Sequence, residues 1–204
     1  MPKQQFALEK EGQKRLELSW GMGWRNFTVR LDGAEVGEIE GGQKSLKEGR
    51  SFALNDGSTL LIQLKTGLMA ELQVLRDGKP LPGSSTDPRQ RLNNASGLIM
   101  GLGGMSIVVG ILAMFWPVLQ EAGFSWDSTV FGILLLGLGY WARQESLLAI
   151  WLAIIIFVLG SILTILATNS FVGSNAGGIV LRILFTIFMY RGVGAIKELQ
   201  AEGV

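Results

Sequence analysis

Between Arg91 and Glu121 the chain carries no charged residue, and from Leu92 to Ile196 it is apolar almost throughout. About 20 consecutive apolar residues in a helix cross the roughly 30 Å of hydrocarbon in a bilayer. An uncharged run of this length predicts membrane-embedded helices, because backbone polar groups in lipid must be satisfied within the segment. Four spans are expected, over about 97–119, 128–142, 146–168 and 178–196, in a domain of 92–198. The second is short. Trp126 at one end and Tyr140 and Trp141 at the other stand where a crossing helix carries its interfacial aromatics. Asp127-Ser128 is the expected cap at its start.

The charges are split between two solvents. Fourteen of the 18 Lys and Arg residues precede Leu92, as do 12 of the 17 Asp and Glu residues. Residues 1–82 therefore read as a water-soluble domain. Residues 83–91, with Pro82, Gly83, Ser84, Ser85 and Pro88 in and beside them, read as a short semi-stiff linker. Residues 199–204 read as a tail. Met1 to Phe6 has no apolar core of a signal peptide, so the first span is expected to direct insertion.

Within residues 4–80 apolar and polar residues alternate as in half-buried strands. Leu16, Leu18 and Trp20 share one face, as do Phe27, Val29 and Leu31, then Leu60, Ile62 and Leu64, then Leu68, Ala70, Leu72 and Val74. Asp32-Gly33, Asp56-Gly57 and Asp77-Gly78 accept the positive φ angles of tight hairpins. About seven short strands are expected. The fold class is a small antiparallel all-β domain, a sandwich or open barrel, followed by an all-α transmembrane four-helix domain. Trp20 is expected in the core. Trp24, which lacks that alternation, is the candidate partner surface. Gly21 to Trp24 and Glu40 to Gly42 read as turns, since neither has the strand–glycine loop–helix pattern of a phosphate site.

Lys and Arg near the span ends set the orientation. Arg89, Arg91, Arg143, Arg191 and Lys197 flank one set of ends, and the connections 120–127 and 169–177 hold neither residue. The positive-inside rule then predicts both termini and the β domain in the cytoplasm. The expected location is an integral multi-pass protein of a bacterial inner or thylakoid membrane.

Small residues predict close helix contacts. Gly103, Ser106, Gly110 and Ala113 make one smooth face of the first span, and Gly97, Gly101 and Gly104 make a second. Gly132 and Gly139 lie seven apart in the second span. Two faces suit an internal neighbour and a second subunit, so a homo-oligomer or a membrane-protein partner is expected.

Arg182 is the one charge well inside a span, and such a charge needs satisfying. Three readings stand: its guanidinium snorkels to the headgroups, it pairs with Asp127, or it belongs to a site. It shares a helical stripe with Asn175, Thr186 and Tyr190, and Ser161, Thr164 and Thr168 line the preceding span. Arg182, Asp127, Thr164, Thr168, Asn169, Asn175 and Thr186 form the candidate polar site.

The chain has no His and no Cys. That removes the imidazole base, the thiol nucleophile and the usual ligands of zinc, copper, haem and iron–sulfur clusters. No metal or cofactor is expected, and a net charge of +1 without a basic patch sets nucleic acid aside. The expected function is non-catalytic: an accessory, scaffold or assembly subunit whose cytoplasmic β domain binds another protein while the helices bind membrane lipids. The alternative is an oligomeric pore, transport or lipid-binding component using the Arg182 stripe.

Overall fold

Leu16 and Leu18, alternating with Glu17 and Ser19, form β2 (Lys14–Ser19) with both leucines fully buried. The computed structural model describes residues 2–66, 70–121, 124–168 and 176–202, and side chains over 2–66, 70–121, 124–162 and 180–201. The chain divides into two compact units, Met1–Gln90 and Arg91–Val204.

In the first unit β1 (Lys3–Ala7), β2, β3 (Phe27–Leu31) and β4 (Ala34–Ile39) form one antiparallel sheet in chain order. A second antiparallel sheet, also in chain order, comprises β5 (Arg50–Ala53), β6 (Thr59–Thr66), β7 (Ala70–Arg76) and β8 (Lys79–Pro80). The eighth strand exceeds the expected count because β8 is only two residues, too short for alternation to register. The register sets Leu18 opposite Val29, and Ile62 and Leu64 opposite Val74 and Leu72. These apolar faces and Phe27 close on one core shared by both sheets.

Asp32 and Gly33 take φ of 53° and 81°, and Asp77 and Gly78 take 48° and 79°. Two successive positive φ values are what a two-residue hairpin of type I′ requires, so these pairs join β3 to β4 and β7 to β8. A short helix, α1 (Gln43–Glu48), intervenes before β5 and buries Leu46 in the core. Six residues with a single buried side chain carry too little periodicity to be read in advance.

The stretch expected to be a linker is folded. Leu81 and Ser84 are buried. The Ser85 hydroxyl donates to the Leu72 carbonyl at 2.7 Å, and the Gly83 N–H donates to Asp87 Oδ2 at 2.8 Å. Local side-chain acceptors satisfy this backbone, which is what turn-forming Ser and Asp do best.

The first long helix, α2 (Pro88–Ala113), starts and ends earlier than the expected span of 97–119. Pro88 opens the helix, since proline's fixed φ and missing N–H suit a first turn, and Asp87 Oδ1 accepts the Arg89 N–H at 3.0 Å. Pro117 sets the end. It has no N–H to give Ala113, and its ring would clash with that turn. The Gln120 side chain donates to the freed Ala113 carbonyl at 2.7 Å. The chain resumes as α3 (Pro117–Glu121), then α4 (Trp126–Ala142), α5 (Leu147–Thr168) and α6 (Ala176–Glu202). Ser125, not Asp127, is the residue that caps α4: its N–H donates to Ser128 Oγ at 3.5 Å. Asp127 falls in the first turn instead, where its charge suits the helix dipole.

The long helices run alternately up and down. Gly139, near the end of α4, approaches Ser96 and Met100 near the start of α2. Gly160 of α5 lies against Phe131 of α4, and Gly192 of α6 lies against Ala95 and Ile150. Arg91 and Glu198 form an ion pair between the start of α2 and the end of α6. Among the described residues Leu92, Ile99, Ala142, Ile150, Met189 and Ile196 are buried in one cluster. Among the described residues one helix, α2, is long and apolar enough to cross a membrane.

Candidate functional site

Arg182 lies on α6 opposite α5. Its Nη1 donates to the backbone carbonyl of Ser161 at 3.2 Å. Thr186 sits one turn further on and its hydroxyl donates to the Arg182 carbonyl at 2.8 Å. The Ser161 hydroxyl is likewise committed to its own helix, donating to the Phe157 carbonyl at 2.7 Å. A groove of about 310 Å³ opens here, walled by Val158, Ile162, Ile183 and Ile187. Of the expected polar set, Arg182 and Thr186 share this groove. Asp127 is elsewhere: it is exposed and accepts from the Ser125 hydroxyl at 3.0 Å. The described residues hold no Arg182–Asp127 ion pair, because the guanidinium turns to a carbonyl on its immediate neighbour, α5. Thr164 and Thr168 belong to α5, but their side chains lie outside the described residues, and Asn169 and Asn175 lie wholly outside them.

The two glycine faces of α2 differ. A Cβ on Gly103 would stand 2.7 Å from the Gly132 carbonyl oxygen and 2.9 Å from the Leu136 nitrogen. A Cβ on Gly132 would stand 2.5 Å from the Gly103 oxygen. Gly110 meets Thr129 in the same way, and a Cβ on Gly139 would reach Met100 Cγ at 2.5 Å. Along this seam α2 and α4 touch backbone to backbone, with Ser106 half-buried beside it. Gly97, Gly101 and Gly104 have no heavy atom within 4 Å of an added Cβ. Among the described residues nothing packs on that second face at these three positions.

The surface of the second unit is apolar. Among the described residues 26 large hydrophobics are exposed; 25 of these lie beyond Gln90, and Met22 is the exception. They include Phe115, Trp116, Ile133, Leu134, Leu159 and Ile183.

In the β unit Trp24 is half-buried. Its ring stacks on Trp20 at 4.8 Å, and Trp20 stacks on Phe27 at 5.7 Å. The stack roots Trp24 in the core and leaves its outer side beside a cavity of about 300 Å³, with Gln4, Gln5 and Phe6 of the first sheet and Leu72 of the second. Met22, in the same turn, is 94% exposed.

The outer face of the first sheet is charged and internally paired. Arg15 donates through Nε and Nη2 to both oxygens of Asp32, and Lys3 donates to Glu17 at 2.9 Å. The bonds from Arg15 hold the Asp32 carboxyl below its usual range, and those from Lys3 and Gln5 do the same for Glu17. Asp56 is lowered chiefly by the hydroxyl and N–H of Ser58. A carboxylate whose folded pKa is depressed stabilises the fold above its unfolded pKa, and that contribution is lost as pH falls through the folded value. Acidification below about pH 5 is therefore expected to loosen this sheet. Protection factors of the β2 and β3 amides should fall from pH 5 toward pH 3, and less so in Asp32→Asn. An Asp32→Asn profile that matches the unmodified protein would count against the Arg15–Asp32 pair.

Several working residues carried no signal in the sequence. The Arg91–Glu198 pair joins positions 107 apart. The Ser161 partner of Arg182 is a backbone oxygen, which no side-chain pattern encodes. Thr129, seated on Gly110, reads as one more polar residue in the first turn of α4. Comparison with protein-family models, with curated proteins and with solved structures finds no match.

Proposed function

We propose that this chain is a four-span membrane protein whose helical unit anchors a cytoplasmic β module that binds another protein, with no catalytic role of its own. The observation that carries the reading is the apolar surface: among the described residues, 25 of the 26 exposed large hydrophobics belong to the helical unit. Lengths fit the reading. At about 1.5 Å per residue, the 26, 17, 22 and 27 residues of α2, α4, α5 and α6 run about 39, 26, 33 and 40 Å. The hydrocarbon layer is about 30 Å thick. The shortest, α4, carries exposed Trp126 at one end and Tyr140 and Trp141 at the other, suited to local thinning and interfacial anchoring.

Arg91, Arg143, Arg191 and Lys197 flank the end where α2 starts and α6 finishes, and the connections at the other end, 114–125 and 169–175, hold no Lys or Arg. This asymmetry supports termini inside. The absence of His and Cys supports a binding role over an enzymatic one. The open face at Gly97, Gly101 and Gly104 offers a site where a partner helix, or a second copy, could approach closely.

A chain without cysteine suits site-specific labelling. Single cysteines are introduced as Ser174→Cys, Gln144→Cys and Ser51→Cys, and intact cells are treated with a membrane-impermeant maleimide. Labelling is expected for Ser174→Cys alone, with the other two reacting only after lysis. Labelling of Gln144→Cys in intact cells would reverse the topology, and a chain released from membranes by carbonate washing would end the membrane reading.

A further inference from the structure

We infer that the groove between α5 and α6 at Arg182 binds one anionic phospholipid of the leaflet opposite the cytoplasmic face, phosphate on Arg182 and acyl chain between the helices. The inference rests on the membrane reading above and goes beyond it by assigning a ligand class to a site.

The argument begins with charge. Between Glu145 and Glu198 the chain has no Asp or Glu at all. Both of those acids belong to the end of the bundle where Arg91 and Glu198 pair, the far end from Arg182. On Arg182's own side the acids are Glu121 and Asp127, and neither forms an ion pair with it among the described residues. Its bond to the Ser161 carbonyl satisfies a donor but does not neutralise the charge. A guanidinium near lipid without a counter-charge is costly, and its planar fork matches the paired oxygens of a phosphate.

Position comes next. Arg182 stands six residues into α6, about 9 Å along the axis at 1.5 Å per residue. That is within a side chain's reach of the headgroup layer. From there the groove runs inward. α6 descends from Arg182 to Ile187, and antiparallel α5 takes the wall from Ile162 to Val158. Its depth is thus apolar and its shallow end cationic.

Chemistry then narrows the occupant. The two hydroxyls in the groove, on Ser161 and Thr186, donate to carbonyls of their own helices. Among the described residues the groove accordingly offers a ligand one cation and four aliphatic side chains. At about 310 Å³ it lies at the small end of ligand sites, roughly 300–1,000 Å³, which suits one chain rather than a compact polar solute. A free anion would leave the walls uncovered, and an uncharged lipid would leave Arg182 unneutralised.

The test uses full-length protein in a neutral detergent. It is titrated with dioleoylphosphatidylglycerol, dioleoylphosphatidylcholine or glycerol 3-phosphate, and bound molecules are counted by native mass spectrometry. The expected result is about tenfold tighter binding of the anionic lipid than of the zwitterionic one, the step that a charge-assisted bond supplies. Glycerol 3-phosphate is expected to stay unbound. Arg182→Gln should bring the anionic lipid down to the zwitterionic level, and Arg182→Lys should keep most of the preference. Ile183→Trp, at an exposed position on the groove wall, should weaken both lipids while leaving Arg182 in place. Equal affinity for the two lipids overturns the inference. So does an undiminished preference in Arg182→Gln, glycerol 3-phosphate binding as tightly as the lipid, or, should Arg182→Gln not fold, unweakened binding in Ile183→Trp. Each of these results leaves the membrane reading standing, whereas release from membranes on carbonate washing would remove both.

Discussion

Gly132→Leu is expected to destabilise the helical unit by about 3 kcal/mol or more. Overpacking usually costs less because a neighbouring side chain moves aside. Here the first obstacle is backbone: an added Cβ would lie 2.5 Å from the Gly103 carbonyl oxygen and 2.8 Å from the Ile107 nitrogen. Relief requires α2 and α4 to separate along the seam they share at Gly103, Gly110 and Gly139. In a bilayer there is no hydrophobic drive to restore the contact, since lipid tails cover a leucine as well as a helix does. Even Gly132→Ala should lower the unfolding midpoint. Gly101→Ala is the contrasting variant. Nothing lies within 4 Å of its Cβ, so alanine's better helix propensity, worth up to about 1 kcal/mol, should appear as a small gain. Thermal unfolding of the detergent-solubilised protein separates the two. A Gly132→Leu midpoint equal to that of the unmodified protein would show that α2 and α4 do not pack through these glycines. A loss in Gly101→Ala would show that the open face is occupied by a partner or a second copy.

Features whose physics is local were legible in the sequence. Leu16 and Leu18 announce a half-buried strand because period-two alternation has one structural meaning, and Asp32-Gly33 and Asp77-Gly78 announce tight turns because few residue pairs accept two positive φ angles. The antiparallel β region and the helical region after it were readable for the same reason. Pro88 reads as linker and Pro117 as part of the first span, and the structure places them differently. One proline opens a helix and the other breaks one, and the choice rests on Asp87 offering a capping oxygen and on Gln120 folding back to the Ala113 carbonyl. The site was half legible. Arg182 stands out by composition alone, but its partner is the Ser161 carbonyl, and the pairing with Asp127 that charge alone suggests is not formed. Contacts between residues far apart in the chain, such as Arg91 with Glu198, depend on how helices pack and have no local signature.

Arg76→Met is expected to cost the β unit about 2–3 kcal/mol, the second large effect. Methionine keeps the length and apolar stem of arginine, so the loss is confined to the guanidinium. That group sits at the end of β7, only 22% exposed. Nε donates to Ser58 Oγ at 3.0 Å, Nη1 to the Leu8 carbonyl at 3.2 Å, and Nη2 to Asp56 Oδ2 at 2.7 Å. The three acceptors lie on two segments, the turn before β6 and the loop leaving β1. One fork therefore ties the end of β7 and the turn before β6 in the second sheet to the loop leaving β1 in the first. Deleting it takes the donor from the half-buried Leu8 carbonyl, where an unmet acceptor is costly, and the counter-charge from the exposed Asp56 carboxylate. Arg76→Lys should recover only part of the loss, because an ammonium is a single point and cannot bridge three acceptors in a plane. The effect of Arg76→Met should also shrink in an Asp56→Asn background, since part of it is the charge left behind. Hydrogen exchange in the full-length protein locates the damage: protection should fall first at Leu54, Gly57 and Ser58, whose amides close the turn before β6. Uniform loss across both sheets would instead mean that Arg76 supports global stability without clamping the corner, and unchanged stability would mean that the three bonds do no more than replace water.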